Sequence, residues 1–116
     1  MTHLKITVKH HPGFHLVTLI GELDRQTRSD LHRFLDPLLR GPVPRIVVDT
    51  AALTFCDSQG LCALIDSQRR AEARGGGLRL IGVRGTLAQL LVVTQLVDLF
   101  PPYASLAQAA RWPARA

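Results

Sequence analysis

Apolar and polar side chains alternate from the start of the chain. Leu4, Ile6 and Val8 are spaced by Lys5, Thr7 and Lys9, the period of two that marks a half-buried strand. His10-His11-Pro12-Gly13 reads as a turn, and Phe14, Leu16, Thr18 and Ile20 then alternate with His15, Val17 and Leu19. An antiparallel hairpin is predicted, ended by Gly21-Glu22-Leu23-Asp24. From Thr27 to Leu39 the period lengthens: Leu31, Phe34, Leu35, Leu38 and Leu39 fall on one face of an amphipathic helix. Asp24 or Thr27 can cap its start. Pro37, which lacks an amide donor, is expected to kink or loosen its last turn, and Gly41-Pro42-Val43-Pro44 stops it.

Arg45 to Asp49 is a short β-branched run, as expected of a central buried strand. A loop through Ala51 to Cys56 should follow, before Asp57-Ser58 opens a second helix carrying Leu61, Leu64, Ile65 and Gln68 on one face. A basic last turn (Arg69, Arg70, Arg74) and Gly75-Gly76-Gly77 close that helix. Leu78 to Val83 predicts another strand. Thr86 can cap a third helix through Leu87, Leu90, Leu91 and Thr94, Val97 to Phe100 reads as an edge segment, and Ser105 caps a short last helix. The order β β α β α β α (β) α implies βαβ units and an α/β fold. Its sheet should be mixed, because the leading hairpin is antiparallel.

Length bounds this picture to one domain. A chain of 116 residues buries about two-thirds of its surface on folding, enough for a single core. Residues 1–116 are therefore expected to form one domain, with 112–116 a loose tail. Cys56 and Cys62 have no second cysteine pair and no His-x-x-x-His spacing beside them, so neither a disulfide framework nor a metal site is expected. The opening residues carry no apolar signal segment, and no apolar run approaches the ~20 residues of a membrane span. A cytoplasmic protein without direct membrane insertion is the expectation.

Charge raises a further possibility. Lys plus Arg minus Asp plus Glu is 14 − 9 = +5, which invites a polyanion partner. Yet the chain has one Trp, one Tyr and four Phe, none interleaved among the arginines, and no nucleic-acid motif. Nucleic acid is not an expected partner. The arginines are dispersed (Arg25, Arg28 and Arg33; Arg69, Arg70 and Arg74; Arg111 and Arg115), whereas Glu22, Asp24 and Asp57 suggest a locally negative docking site.

The most informative spot is the junction at Asp57-Ser58-Gln59-Gly60. Functional groups in open α/β sheets gather beyond the carboxyl ends of strands, and a serine at a helix start sits beside unpaired N–H groups that favour anions. Ser58 or Asp57 can equally be a plain helix cap. Catalysis is not expected. The histidines (His3, His10, His11, His15, His32) all lie far upstream, Cys56 replaces the first glycine of a nucleophile elbow, and Gly75-Gly76-Gly77 lacks the Lys-Ser/Thr of a phosphate-binding loop. Asp49 and Asp57 could pair on a metal, but Asp49 fits a strand end better.

Leu19-Ile20-Gly21-Glu22-Leu23-Asp24, Arg45-Ile46-Val47-Val48-Asp49 and Leu53 to Leu61 together resemble the STAS domain family, and within it the bacterial anti-sigma factor antagonists. The resemblance continues through Gly76 to Leu80, Leu90 to Leu96 and Ser105 to Ala109. It implies a mixed sheet of four to five strands packed by about four helices. It also implies a partner switch. The unphosphorylated antagonist binds an anti-sigma factor that is a serine kinase of the GHKL type, the kinase phosphorylates the serine matching Ser58, and a PP2C-type phosphatase resets it. Gly21, Glu22, Leu23 and Asp24 would lie near the phosphosite and join Asp57, Ser58, Gln59 and Gly60 in the partner surface. The face of the following helix, Cys62, Asp66 and Arg69, extends it, unless it is an ordinary solvated face. No cofactor is implied.

Three departures stand out. Gln59 replaces the usual Ser or Thr, Gln95 replaces the glycine of Thr-Gly-Leu, and Pro37 is unusual in the first helix. The first leaves open an unphosphorylated STAS scaffold of a transporter or signalling complex.

Overall fold

The alternation at the N-terminus is realised as a hairpin of β1 (Leu4–His11) and β2 (Phe14–Leu23), with Lys5 opposite Ile20 and His10 opposite His15. The structure, a computed structural model, describes residues 3–113. After the hairpin come α1 (Arg28–Leu39), β3 (Arg45–Cys56), α2 (Ser58–Ala73), β4 (Gly77–Ile81), α3 (Gly85–Val93) and α4 (Leu106–Ala109). The sheet order is β1-β2-β3-β4, antiparallel at the first pair and parallel at the other two.

One row of side chains builds the core. Val17 and Leu19, Ile46 and Val48, and Leu78 and Leu80 are buried together with Leu31, Leu35 and Leu39 of α1, Leu61 and Leu64 of α2, and Leu87 and Leu91 of α3. Leu16, Val47 and Arg79 are in register across β2, β3 and β4, one residue out of step with that row and hence on the opposite face. The C-terminal segment covers that face at β4. The Arg79 guanidinium donates to the carbonyls of Ala109 and Arg111 and lies over the rings of Trp112 and Tyr103, at 4.1 and 5.2 Å from their centroids. Trp112 is therefore anchored, where a loose tail from residue 112 was expected; residues 114–116 lie outside the described part.

β3 is longer than its sequence pattern suggests. The expected loop from Ala51 to Cys56 is strand, because β2 also continues and supplies partners: Ile20 faces Ala52, Gly21 faces Leu53, Glu22 faces Phe55 and Leu23 faces Cys56. Register shifts between Thr18 and Ile20 and between Gly21 and Glu22 interrupt the alternation, as bulges do. The edge segment from Val97 to Phe100 is a turn, with the N–H groups of Leu99 and Phe100 both donating to the Leu96 carbonyl. Phe100 anchors it in the core, and Pro101-Pro102 cannot donate to a ladder. The sheet thus has four strands among the described residues.

Two other expectations change locally. α1 runs through Pro37 to Leu39, and its end tightens, with the Gly41 N–H donating to the Leu38 carbonyl. Thr86 lies inside α3 instead of capping it, and its hydroxyl accepts from the Cys56 N–H at 2.9 Å. Thr86 thereby ties α3 to the end of β3, where the functional junction begins.

Candidate functional site

β2 and β3 end side by side, and that places the two motifs together. The Asp57 N–H donates to the Leu23 carbonyl at 3.2 Å, continuing the ladder past the last paired residues. α2 then starts so close to β2 that a Cβ on Gly60 would lie 2.5 Å from the Leu23 carbonyl oxygen. Only glycine fits there. Gly21 is constrained as well: its φ is +118°, and a Cβ would lie 2.3 Å from the His3 carbonyl oxygen, which also accepts from the Glu22 N–H. Both glycines exist for close backbone approach.

Asp57 caps α2. Its backbone is extended and its carboxylate accepts from the Gly60 N–H at 2.8 Å. The other carboxylate oxygen accepts from the Arg25 N–H at 3.3 Å, which joins α2 to the turn before α1. That turn is held by Asp24, whose carboxylate accepts from the N–H groups of Gln26 and Thr27, while the Thr27 hydroxyl donates to the Glu22 carbonyl. Neither Asp24 nor Thr27 caps α1 in the usual way; together they shape the turn. Asp24, Arg25, Gln26 and Asp57 line a shallow concavity between the motifs.

Ser58 is the first residue of α2 and is exposed. The cap at Asp57 leaves its hydroxyl without a hydrogen bond among the described residues. Cys62, Asp66 and Arg69 are all exposed on the same helix. At about 100° per residue they lie with Ser58 within an arc of about 80°, so the four form one continuous stripe. Gln59 points elsewhere: its side-chain carbonyl accepts from Arg28 Nη1 of α1.

The expectation of a locally negative site needs correction here. Asp24 and Asp57 do line one concavity, but the fold also brings the Arg28 guanidinium to Gln59 at the start of α2. Sequence spacing gave no sign of this, since Arg28 and Gln59 are 31 residues apart. Phe55 was also missed as a surface group. It is 41% exposed and in register with Glu22, so an apolar ring borders the polar junction.

Arg70 and Arg74 have structural partners instead. Arg70 pairs with Asp36 at 2.7 Å, and Arg74 donates to the carbonyls of Gly41 and Arg40, locking the end of α2 onto that of α1. The Cys56 thiol is buried, and burial, with Asp57 adding to it, pushes its pKa up to about 12. That keeps it protonated and poorly nucleophilic. His10, His11 and His15 lie at the far end of the sheet, His15 being in register with Ile46 at the start of β3. No histidine is hydrogen-bonded to Ser58 among the described residues. No group of three or more His, Cys, Asp or Glu among them is placed to hold a metal ion, and none of their helices is long and apolar enough to cross a membrane.

Comparisons with known proteins agree on the fold. A family model described as "Mlab, STAS domain" matches residues 6–101. The chain is 29% identical over 102 residues to the anti-sigma F factor antagonist of Paenibacillus polymyxa, covering 87% of each protein. Among solved structures it is similar to an anti-sigma factor antagonist from Mycobacterium paratuberculosis, with a TM-score of 0.81, 24% identity and coverage of 92% of this chain and 91% of that one. It is also similar to the phosphorylated form of the Bacillus cell fate determinant SpoIIAA, with a TM-score of 0.72, 20% identity and coverage of 90% and 96%.

Proposed function

The chain belongs to the STAS domain family, and on that premise we propose that it is an anti-sigma factor antagonist whose docking surface is switched off by phosphorylation of Ser58. The single observation that carries this reading is the free Ser58 hydroxyl, exposed at the first position of α2 while Asp57 does the capping. A serine needed for the fold would be bonded. The relative from Paenibacillus polymyxa is named as an antagonist of an anti-sigma factor, which supports the partner class.

The proposed docking surface is Gly21, Glu22, Leu23 and Asp24 with Asp57, Ser58, Gln59 and Gly60, extended along α2 by Cys62, Asp66 and Arg69. Phe55 supplies an apolar anchor beside it. A kinase of the anti-sigma class would reach the hydroxyl from solvent, and a PP2C-type phosphatase would reach the phosphate by the same route. The phosphate adds about −1.5 to −2 charges where the partner fits a neutral hydroxyl. Burying that charge unpaired costs about 2–5 kcal/mol, or roughly thirty- to four-thousand-fold in affinity. The added charge need not disturb the fold, because it lies at the positive end of the α2 dipole.

The test is phosphorylation of the purified protein by a partner kinase with ATP, followed by mapping of the phosphate. Wild type should carry it on Ser58, and Ser58→Ala should accept none. Ser58→Asp should weaken binding to the kinase. Equal labelling of Ser58→Ala, or full affinity of Ser58→Asp, would overturn the reading in favour of an unswitched STAS scaffold.

A further inference from the structure

We propose that Arg28 is an internal phosphate clamp: once Ser58 is phosphorylated, the Arg28 guanidinium leaves Gln59 and pairs with the phosphoryl oxygens. The inference rests on Ser58 being the modified residue. It adds which group of this chain receives the charge.

Arg28 stands at the first position of α1 and reaches across to α2, where Nη1 donates to the side-chain carbonyl of Gln59. A neutral amide oxygen is a weak partner for a guanidinium, and the bond is on the surface. Gln59 adjoins Ser58, and an arginine side chain has enough free torsions to exchange one acceptor for another a residue away. A dianionic phosphate offers three acceptor oxygens and can take a guanidinium through two parallel N–H bonds, a far stronger pairing than the amide gives. The backbone around it is already fixed. Asp57 holds the Arg25 N–H, so the turn that launches α1 is pinned to the start of α2, and the clamp closes without moving either helix. Gln59 then acts as the resting partner of Arg28 in the unphosphorylated protein, which gives a role to the residue standing where Ser or Thr is usual.

The clamp also changes what the partner meets. Phosphorylation removes the neutral hydroxyl, frees the Gln59 amide and withdraws Arg28 from the surface hydrogen bond it made before. The docking face is altered at three neighbouring residues by one covalent event.

Phosphoserine installed at position 58 during translation, in the full chain, tests this without depending on any kinase. The readout is the second ionisation of the phosphate, followed by phosphorus NMR against pH. Free phosphoserine titrates near pH 6. Glu22, Asp24 and Asp57 raise that value and the α2 N-terminus lowers it in every variant alike, so the difference between variants reports arginine, with Arg25 as the other cation at hand. The expected result is that Arg28→Gln raises the titration midpoint by about half a unit or more, a roughly threefold change in proton affinity. Arg33→Gln, further along α1 and paired with Asp30, should leave it in place. The side-chain amide signal of Gln59 should move on phosphorylation in wild type, and Arg28→Gln should already show the shifted position. Equal midpoints for wild type and Arg28→Gln, or a midpoint that follows Arg25→Gln alone, would overturn the clamp. A kinase assay run beside it separates the two ideas: no labelling of Ser58 sinks the functional reading, whereas an unchanged midpoint sinks only the clamp.

Discussion

Replacing Asp57 and Ser58 separately by alanine tests the division of labour at the start of α2. Asp57 accepts from the Gly60 N–H at 2.8 Å and from the Arg25 N–H at 3.3 Å. Its removal leaves two amide donors without a side-chain partner and deletes a negative charge from the positive end of the helix. The cap accounts for about 1–2 kcal/mol. A chain of this length has an unfolding entropy near 0.24 kcal/mol/K, so each kcal/mol shifts Tm by about 4 °C. Asp57→Ala should therefore melt about 4–8 °C below wild type, as followed by calorimetry or circular dichroism. Asp57→Asn keeps a capping oxygen and should stay within about 2 °C. Ser58→Ala deletes a hydroxyl that bonds nothing in the described structure, and it too should stay within about 2 °C. If Ser58→Ala cost as much as Asp57→Ala, the serine would be structural, and the argument for a hydroxyl left free for modification would fail.

Gly60→Ala would place a Cβ 2.5 Å from the Leu23 carbonyl; despite the better helix propensity of alanine, it should lose about 1–2 kcal/mol and shift the amide resonances of Leu23 and Asp57, and an unchanged melt would contradict the close approach. Gln95, exposed after α3, has a φ of +59°, so Gln95→Gly should gain about 0.5–1 kcal/mol, raising Tm by about 2–4 °C. Burial of His15, with a smaller effect of His10, lowers the His15 pKa below its usual value. The unfolded chain therefore binds more protons below about pH 6.5, and stability should fall as the pH drops through that region. His15→Gln should show a smaller Tm loss than wild type between about pH 7.5 and about pH 5.5.

The elements that could be read from the sequence were those whose periodicity is uninterrupted. β1, the first half of β2 and α1 each keep a readable period, and the structure places them as expected except for Phe34. The pattern put Phe34 on the apolar face of α1, but it is exposed, leaving Leu31, Leu35 and Leu39 as the buried face. The second half of β3 was opaque because it pairs across two register shifts, so its burial does not alternate. Thr86 has the look of a cap, yet its hydroxyl serves a strand end 30 residues earlier, a tertiary demand that local spacing does not encode. The same holds at the site. The Gly-Glu-Leu-Asp and Asp-Ser-Gln-Gly motifs were visible as strings, and their contact through Leu23 and Gly60 follows from the parallel pairing of β2 and β3. The arginine beside them was not visible, because Arg28 looks like an ordinary residue of a solvated helix until the turn held by Asp24 and Asp57 sets the start of α1 against α2.

The stacking of Arg79 on Trp112 has an optical consequence. Trp112 is the chain's single tryptophan, and a Cβ on Gly77, at the start of β4, would lie 3.6 Å from its indole nitrogen. Gly77 is in register with Arg45, at the opposite end of β3 from Cys56, so roughly 30–35 Å of strand separate the indole from the Ser58 junction. Its emission responds to what happens at the β4 edge, while events at the junction do not touch the indole. Intrinsic fluorescence of the protein alone thus reports whether the C-terminal segment still covers the β4 edge, at a distance from the surface proposed for docking.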